Sequence, residues 1–162
     1  MNRFIFTLAA LCLATTSAFA ADKSKLYIAA TIGADGHDDP VGAQYVYHLR
    51  ESVASSSVYQ LTKSLTDSMY VLNLATIDPT RAVGMPGQMT AISVILCFNV
   101  LPEEDACTVF LSQWVVTIGR QNASAGPVQL MAAIDKQVNT PLTSVQLKHV
   151  LSLVDTDDLK GR

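Results

Sequence analysis

The stretch "KLYIAATIGADGHDDPVGAQYVYHLRESV" (residues 25–53) contains the change of period on which the fold turns. Lys25 to Ile32 is short, apolar and rich in strand formers, the composition of a strand inside a sheet. From Pro40 the pattern becomes helical. Gly42, Val46, Leu49 and Val53 recur at intervals of four, three and four, with Tyr45 beside them, which makes one apolar face. Arg50 and Glu51 point away from it. Asp39 followed by Pro40 has the form of a helix cap: the carboxylate accepts from free amides, and proline has no N–H to leave unpaired. Gly33 and Gly36 supply the unusual φ angles of a strand-end turn. The serines of "ASSS" (54–57) end the helix, because they favour turns over helix interiors.

The same turn also has the donors of an ion site. Asp35, His37 and Asp38, with Asp39, offer carboxylate oxygens and one imidazole to a divalent cation. Against this, the spaced acids of a calcium loop are missing. Zinc would need further His or Cys ligands. His48 lies eleven residues beyond His37, about three turns if helical, and His149 belongs to no ligand motif. Asp35, His37 and Asp38 stand as the metal candidates, while a turn plus a helix cap accounts for every residue of the segment. Ser55, Ser56 and Ser57 lack the Gly-x-Ser-x-Gly context of an activated serine, although a triad is set by geometry and not by spacing. Glu103, Glu104 and Asp105 read as a solvated turn and not as a facing acid pair. No phosphate loop or Gly-x-Gly-x-x-Gly occurs, so no cofactor is expected.

Residues 1–20, "MNRFIFTLAALCLATTSAFA", have the form of a cleaved signal peptide. Arg3 is the positive charge, Phe4 to Leu13 the apolar run, and Ala18-Phe19-Ala20 the small-x-small cleavage site. Lipidation at Cys12 meets Leu11, where a small residue is wanted. Residues 21–162 then form one globular domain, with no segment apolar enough for a membrane span. Without Arg3, ten basic residues face fourteen acidic ones, and no basic run occurs. Nucleic acid is therefore an unsuitable partner.

Of three cysteines, Cys97 and Cys107 remain after cleavage, an even count that suits a disulfide in an oxidising compartment. "MTAISVILCFNV" (89–100) and "ACTVFLSQWVVTIG" (106–119) read as two long strands joined by "LPEED". With the tip near residue 102, Cys97 and Cys107 fall directly opposite one another, within range of a disulfide worth ~2–3 kcal/mol, with two buried free thiols as the alternative. Further strands are expected at 58–65 and 69–77, loop at 80–88, a turn at 121–126 and a helix at 126–139. Residues 140–154 fit helix or strand. The Asn122-Ala123-Ser124 acceptor tripeptide is common by chance and is assigned nothing. The order predicts an α+β fold: a mostly antiparallel sheet of four to five strands with two or three helices on one face.

The block "DPVGAQYVYHLRESVASSSVYQL", followed by "YVLNLATID" and "VFLSQWVVTIG", resembles exported bacterial α/β domains of the TolB N-terminal and curli-assembly lipoprotein type. Gly42, Leu49, Arg50, Ser57 and Tyr59 carry the resemblance over about half of the chain after the signal. It implies a periplasmic binding or assembly module without catalytic residues. This chain departs from that group in having no lipidation cysteine and no appended propeller. The expectation is an exported, non-catalytic module of the cell envelope that engages a protein partner. The alternative is a small periplasmic hydrolase or metal-dependent enzyme using the Asp35–His37–Asp38 loop.

Overall fold

The computed structural model describes residues 22–100 and 107–148. The signal-peptide reading, the Cys12 question, the acidic tip at 101–105, His149 and the tail lie outside the described residues. The elements run β1 (Ser24–Thr31), α1 (Pro40–Ala54), β2 (Tyr59–Thr62), β3 (Tyr70–Ile77), β4 (Met89–Phe98), β5 (Val109–Gly119) and α2 (Gly126–Val138). Short 3-10 helices lie at Pro79–Val83 and Arg120–Asn122. Residues 144–148 are helical, which settles that part of the ambiguous 140–154 stretch.

The five strands form one sheet in the order β2-β1-β3-β4-β5. Its longer ladders, β3 with β4 and β4 with β5, are antiparallel, and β1 pairs in parallel with both β2 and β3. The fold is α+β as the order of elements predicts. The second strand is shorter than expected, ending at Thr62. Beyond it Thr62 Oγ1 accepts from the backbone N–H of Ser64, which turns the chain out of the sheet. The stretch 80–88 is also not plain loop. Asp78 caps the 3-10 helix that starts on Pro79, the same Asp-Pro device that opens α1.

Alternation along the strands decides the faces. Leu26 and Ile28 of β1, Leu72 and Leu74 of β3, and Ile92, Val94 and Leu96 of β4 share one core with Tyr45, Val46, Leu49 and Val53 of α1 and Leu130 and Ile134 of α2. All of these are buried, and burying each large side chain contributes about 1.5–3 kcal/mol. Trp114 is half-buried against the same cluster, as its mid-strand place suggests. Gly126 sits where the helices meet: a Cβ there would come within 2.8 Å of Tyr45 Cε2.

Cys97 and Cys107 are disulfide-bonded, with their Cα atoms 5.2 Å apart. The expected register needs correction, however. Cys97 pairs with Phe110 and Phe98 with Val109, so Cys107 lies beyond the ladder and not opposite its partner. The reason is a bulge. Leu96 pairs with Ser112 and Cys97 with Phe110, which leaves Leu111 as an extra residue. The shift exchanges the faces of β5: Val109 and Leu111 point to the core before it, Trp114, Val116 and Ile118 after it. The carbonyls beside the bulge are taken up by side chains. Gln137 Nε2 donates to Leu111 O at 3.3 Å and Gln146 Nε2 to Phe110 O at 2.8 Å.

Candidate functional site

The turn between β1 and α1 is held by both backbone and side-chain bonds. Gly33 and Gly36 take φ of +65° and +84°, the left-handed region that a side chain disfavours. Gly36 N–H donates to Gly33 O, and Ala34 N–H to Thr76 O on β3. Asp35 Oδ1 accepts from the N–H of His37 at 3.2 Å, a local side-chain turn. Arg81 reaches across from the 3-10 helix and donates to the backbone oxygen of Asp38 at 3.0 Å.

Asp35, His37 and Asp38 are all exposed on this turn. Among the described residues, no group of three or more His, Cys, Asp or Glu side chains is placed to hold a metal ion. His48 lies on α1, where its Nδ1 is 3.0 Å from Glu51 Oε2.

Asp39 behaves differently from its neighbours. It is only 2 % exposed. One oxygen caps α1 by accepting from Gly42 N–H at 2.8 Å, and the other accepts from Thr90 Oγ1 on β4. Gly42 is required there, because a Cβ would overlap both the Asp39 carboxylate and Thr76 Oγ1. Asp78 makes a second such knot. It accepts from Thr80 N–H and Thr80 Oγ1 through one oxygen, and from Gly87 N–H at 2.6 Å through the other. These bonds, the Thr80 hydroxyl first and the Gly87 amide second, hold its carboxyl below the usual carboxylate range. Neither Thr90 nor Gly87 was singled out by the sequence. The repeated Asp-Pro pair was the available signal.

The depressed Asp78 pKa has a pH consequence. Its contribution to stability is complete above the unfolded-state pKa of about 3.9 and is lost as pH falls through the lower native value. Asp78→Asn is therefore expected to flatten the acid limb of the stability curve. Urea midpoints taken through the acid range check this, and curves that stay parallel to wild type would rule it out.

On the exposed side of α1, Glu51 accepts from Tyr47 Oη at 2.7 Å and meets His48 through its other oxygen. The Tyr47 hydroxyl is the main reason that the Glu51 pKa lies below the ordinary range, and the carboxylate raises the Tyr47 phenol in turn. Ser52 and Ser55 line the adjacent surface hollow. Their hydroxyls donate to the backbone oxygens of His48 and Ser52, so neither is aimed at the imidazole. This cluster ties the helix surface together and does not activate either hydroxyl.

A larger feature is the sheet face turned away from the helices. The outward residues of β1, β3, β4 and β5 include Tyr27, Ala29, Asn73, Ser93, Ile95 and Val115. Lys25 at the margin is the one charged side chain among the outward residues of these four strands. Val71 and Cys97 are buried on this face, and Val115 is 72 % exposed. A solvated sheet face ordinarily carries polar and charged groups. Apart from Lys25, this one is uncharged and partly apolar.

The chain matches no protein-family model and no curated protein. Among solved structures it is similar to a hypothetical protein of Chlamydia trachomatis, CT253, with 7 % identity over 60 % of this chain and 72 % of that one, at a TM-score of 0.42. It is also similar to protein XCC0632 of Xanthomonas campestris, assigned to DUF330, with 10 % identity over 83 % and 88 % of the two chains, at a TM-score of 0.37. Likenesses this distant carry no argument about the site.

Proposed function

We propose that the chain is an exported, non-catalytic binding module of the bacterial cell envelope that engages a protein partner through the sheet face turned away from α1 and α2. The observation that carries this is the near absence of charge among the outward residues of β1, β3, β4 and β5. Depletion of charged residues marks the buried centre of protein interfaces, because each desolvated charge opposes association. The partner is accordingly a protein that presents an uncharged, partly apolar surface. Export rests on the form of residues 1–20, and the Cys97–Cys107 bond agrees with an oxidising compartment. The resemblance to the TolB N-terminal and curli-assembly group points in the same direction.

The test places a photo-crosslinker at Ser93, in the middle of the face, and a control crosslinker at Gln129 on α2. A defined partner band is expected from Ser93 only, reduced at least tenfold by Asn73→Lys and unchanged by His37→Ala with Asp38→Ala. Equal capture from both positions would refute the reading. The same double substitution tests the metal-enzyme alternative: thermal midpoints are expected not to move with added divalent ions or a chelator, in either protein. Ion-dependent stabilisation lost in the double variant would instead favour the loop as a metal site.

A further inference from the structure

Beyond that reading, we propose that β5 pairs antiparallel with β5 of a second copy, joining two sheets into one of ten strands. The two edges of the sheet differ sharply in protection. The β2 edge is four residues long and is followed at once by Lys63. Short length and a lysine are the usual means of discouraging edge-to-edge association.

β5 is the opposite case. Its eleven residues, "VFLSQWVVTIG", contain no charge and no proline. At its start the edge is covered, since Gln137 and Gln146 occupy the carbonyls of Leu111 and Phe110. From Ser112 to Ile118, among the described residues, the hydrogen bonds to this backbone all come from the β4 ladder. An edge strand leaves alternate N–H and C=O groups pointing outward, a ready template for another strand.

The occupant follows from the sequence of the edge. A two-fold axis at Val115 sets Val115 against Val115, Gln113 against Thr117, and Trp114 against Val116. No like charges meet in this register. An isologous contact needs this self-complementarity. Exposed apolar residues also gather at the same margin: Phe110 and Val115 on β5, and Val145 and Leu147 on the segment anchored by Gln146. Repulsion between two chains of small net negative charge is weak at physiological salt, where screening acts over about 8 Å. Pairing in this way also joins the two nearly uncharged outer faces into one surface of double width.

The test is made on the purified chain of residues 21–162 alone, so its failure leaves the partner reading of the outer face untouched. Light scattering after size exclusion is expected to give twice the mass of the chain. Val115→Lys and Val115→Glu, at an exposed position that tolerates either side chain, are each expected to halve that mass with circular dichroism unchanged. Mixing the two variants is expected to restore the double mass through opposite charges at the axis. A monomeric wild type overturns the proposal. A dimer that survives both substitutions, or a mixture that stays monomeric, overturns it as well.

Discussion

Replacing Asp39 by alanine is expected to lower the unfolding free energy by about 3 kcal/mol, although the residue adjoins an exposed turn. Two losses combine. The cap of α1 disappears when Gly42 N–H loses its acceptor, at a cost of ~1–2 kcal/mol. The Thr90 hydroxyl, fully buried on β4, loses its main acceptor and keeps only a 3.3 Å approach to Ile77 O. A buried group left poorly bonded costs about 1–3 kcal/mol. The two effects are separable. Thr90→Val in the Asp39→Ala background removes the stranded hydroxyl and should recover about 1 kcal/mol, whereas in wild type it should destabilise. Denaturant unfolding of the four proteins makes the cycle. An Asp39→Ala protein within about 0.5 kcal/mol of wild type would show that the knot between helix and sheet is not stabilising.

The second large effect is at Gly33. Alanine there is expected to cost about 3 kcal/mol, and at Gly36 only about 1 kcal/mol, although both glycines have positive φ. The difference is space. A Cβ on Gly33 would overlap the carbonyl of His37, so the turn must open and release the bonds that Ala34 and Gly33 make to Thr76. A Cβ on Gly36 meets nothing within 4 Å, which leaves only the intrinsic strain of the left-handed conformation. Thermal unfolding of the two variants decides it. Equal losses would mean that backbone strain alone fixes the turn.

Both predictions concern the segment in which aspartates, histidine and glycines first raised the possibility of an ion site. Its local chemistry was legible because it is local. Asp39 and Pro40 are adjacent to the amides they serve, and glycine's freedom of φ does not depend on the rest of the chain. The sequence could not place Thr90, which lies 51 residues from Asp39 and bonds it only because β4 crosses beneath the start of α1. Asp78 directly follows the strand expected at 69–77. Its role in binding Gly87, nine residues on, belongs to a loop whose path no period encodes. The disulfide shows the same division. The cysteine count and the two flanking strands were sufficient to pair Cys97 with Cys107, but a symmetric hairpin was the wrong geometry for it. The bulge at Leu111 moves the register, and nothing in "VFLSQ" announces an extra residue.

The sequence by itself determined the strand-to-helix change at Pro40, the spans of both main helices, the α+β order and the identity of the linked cysteines. Periodicity, caps and composition act between residues a few positions apart, and such terms can be read along a line. Only the tertiary structure decided that β1 lies between β2 and β3, that β5 is an edge among the described residues, and that α1 and α2 share one face of the sheet. Those facts depend on which distant strands pair, and pairing is chosen by total burial across the whole sheet. No short stretch of the chain contains that sum.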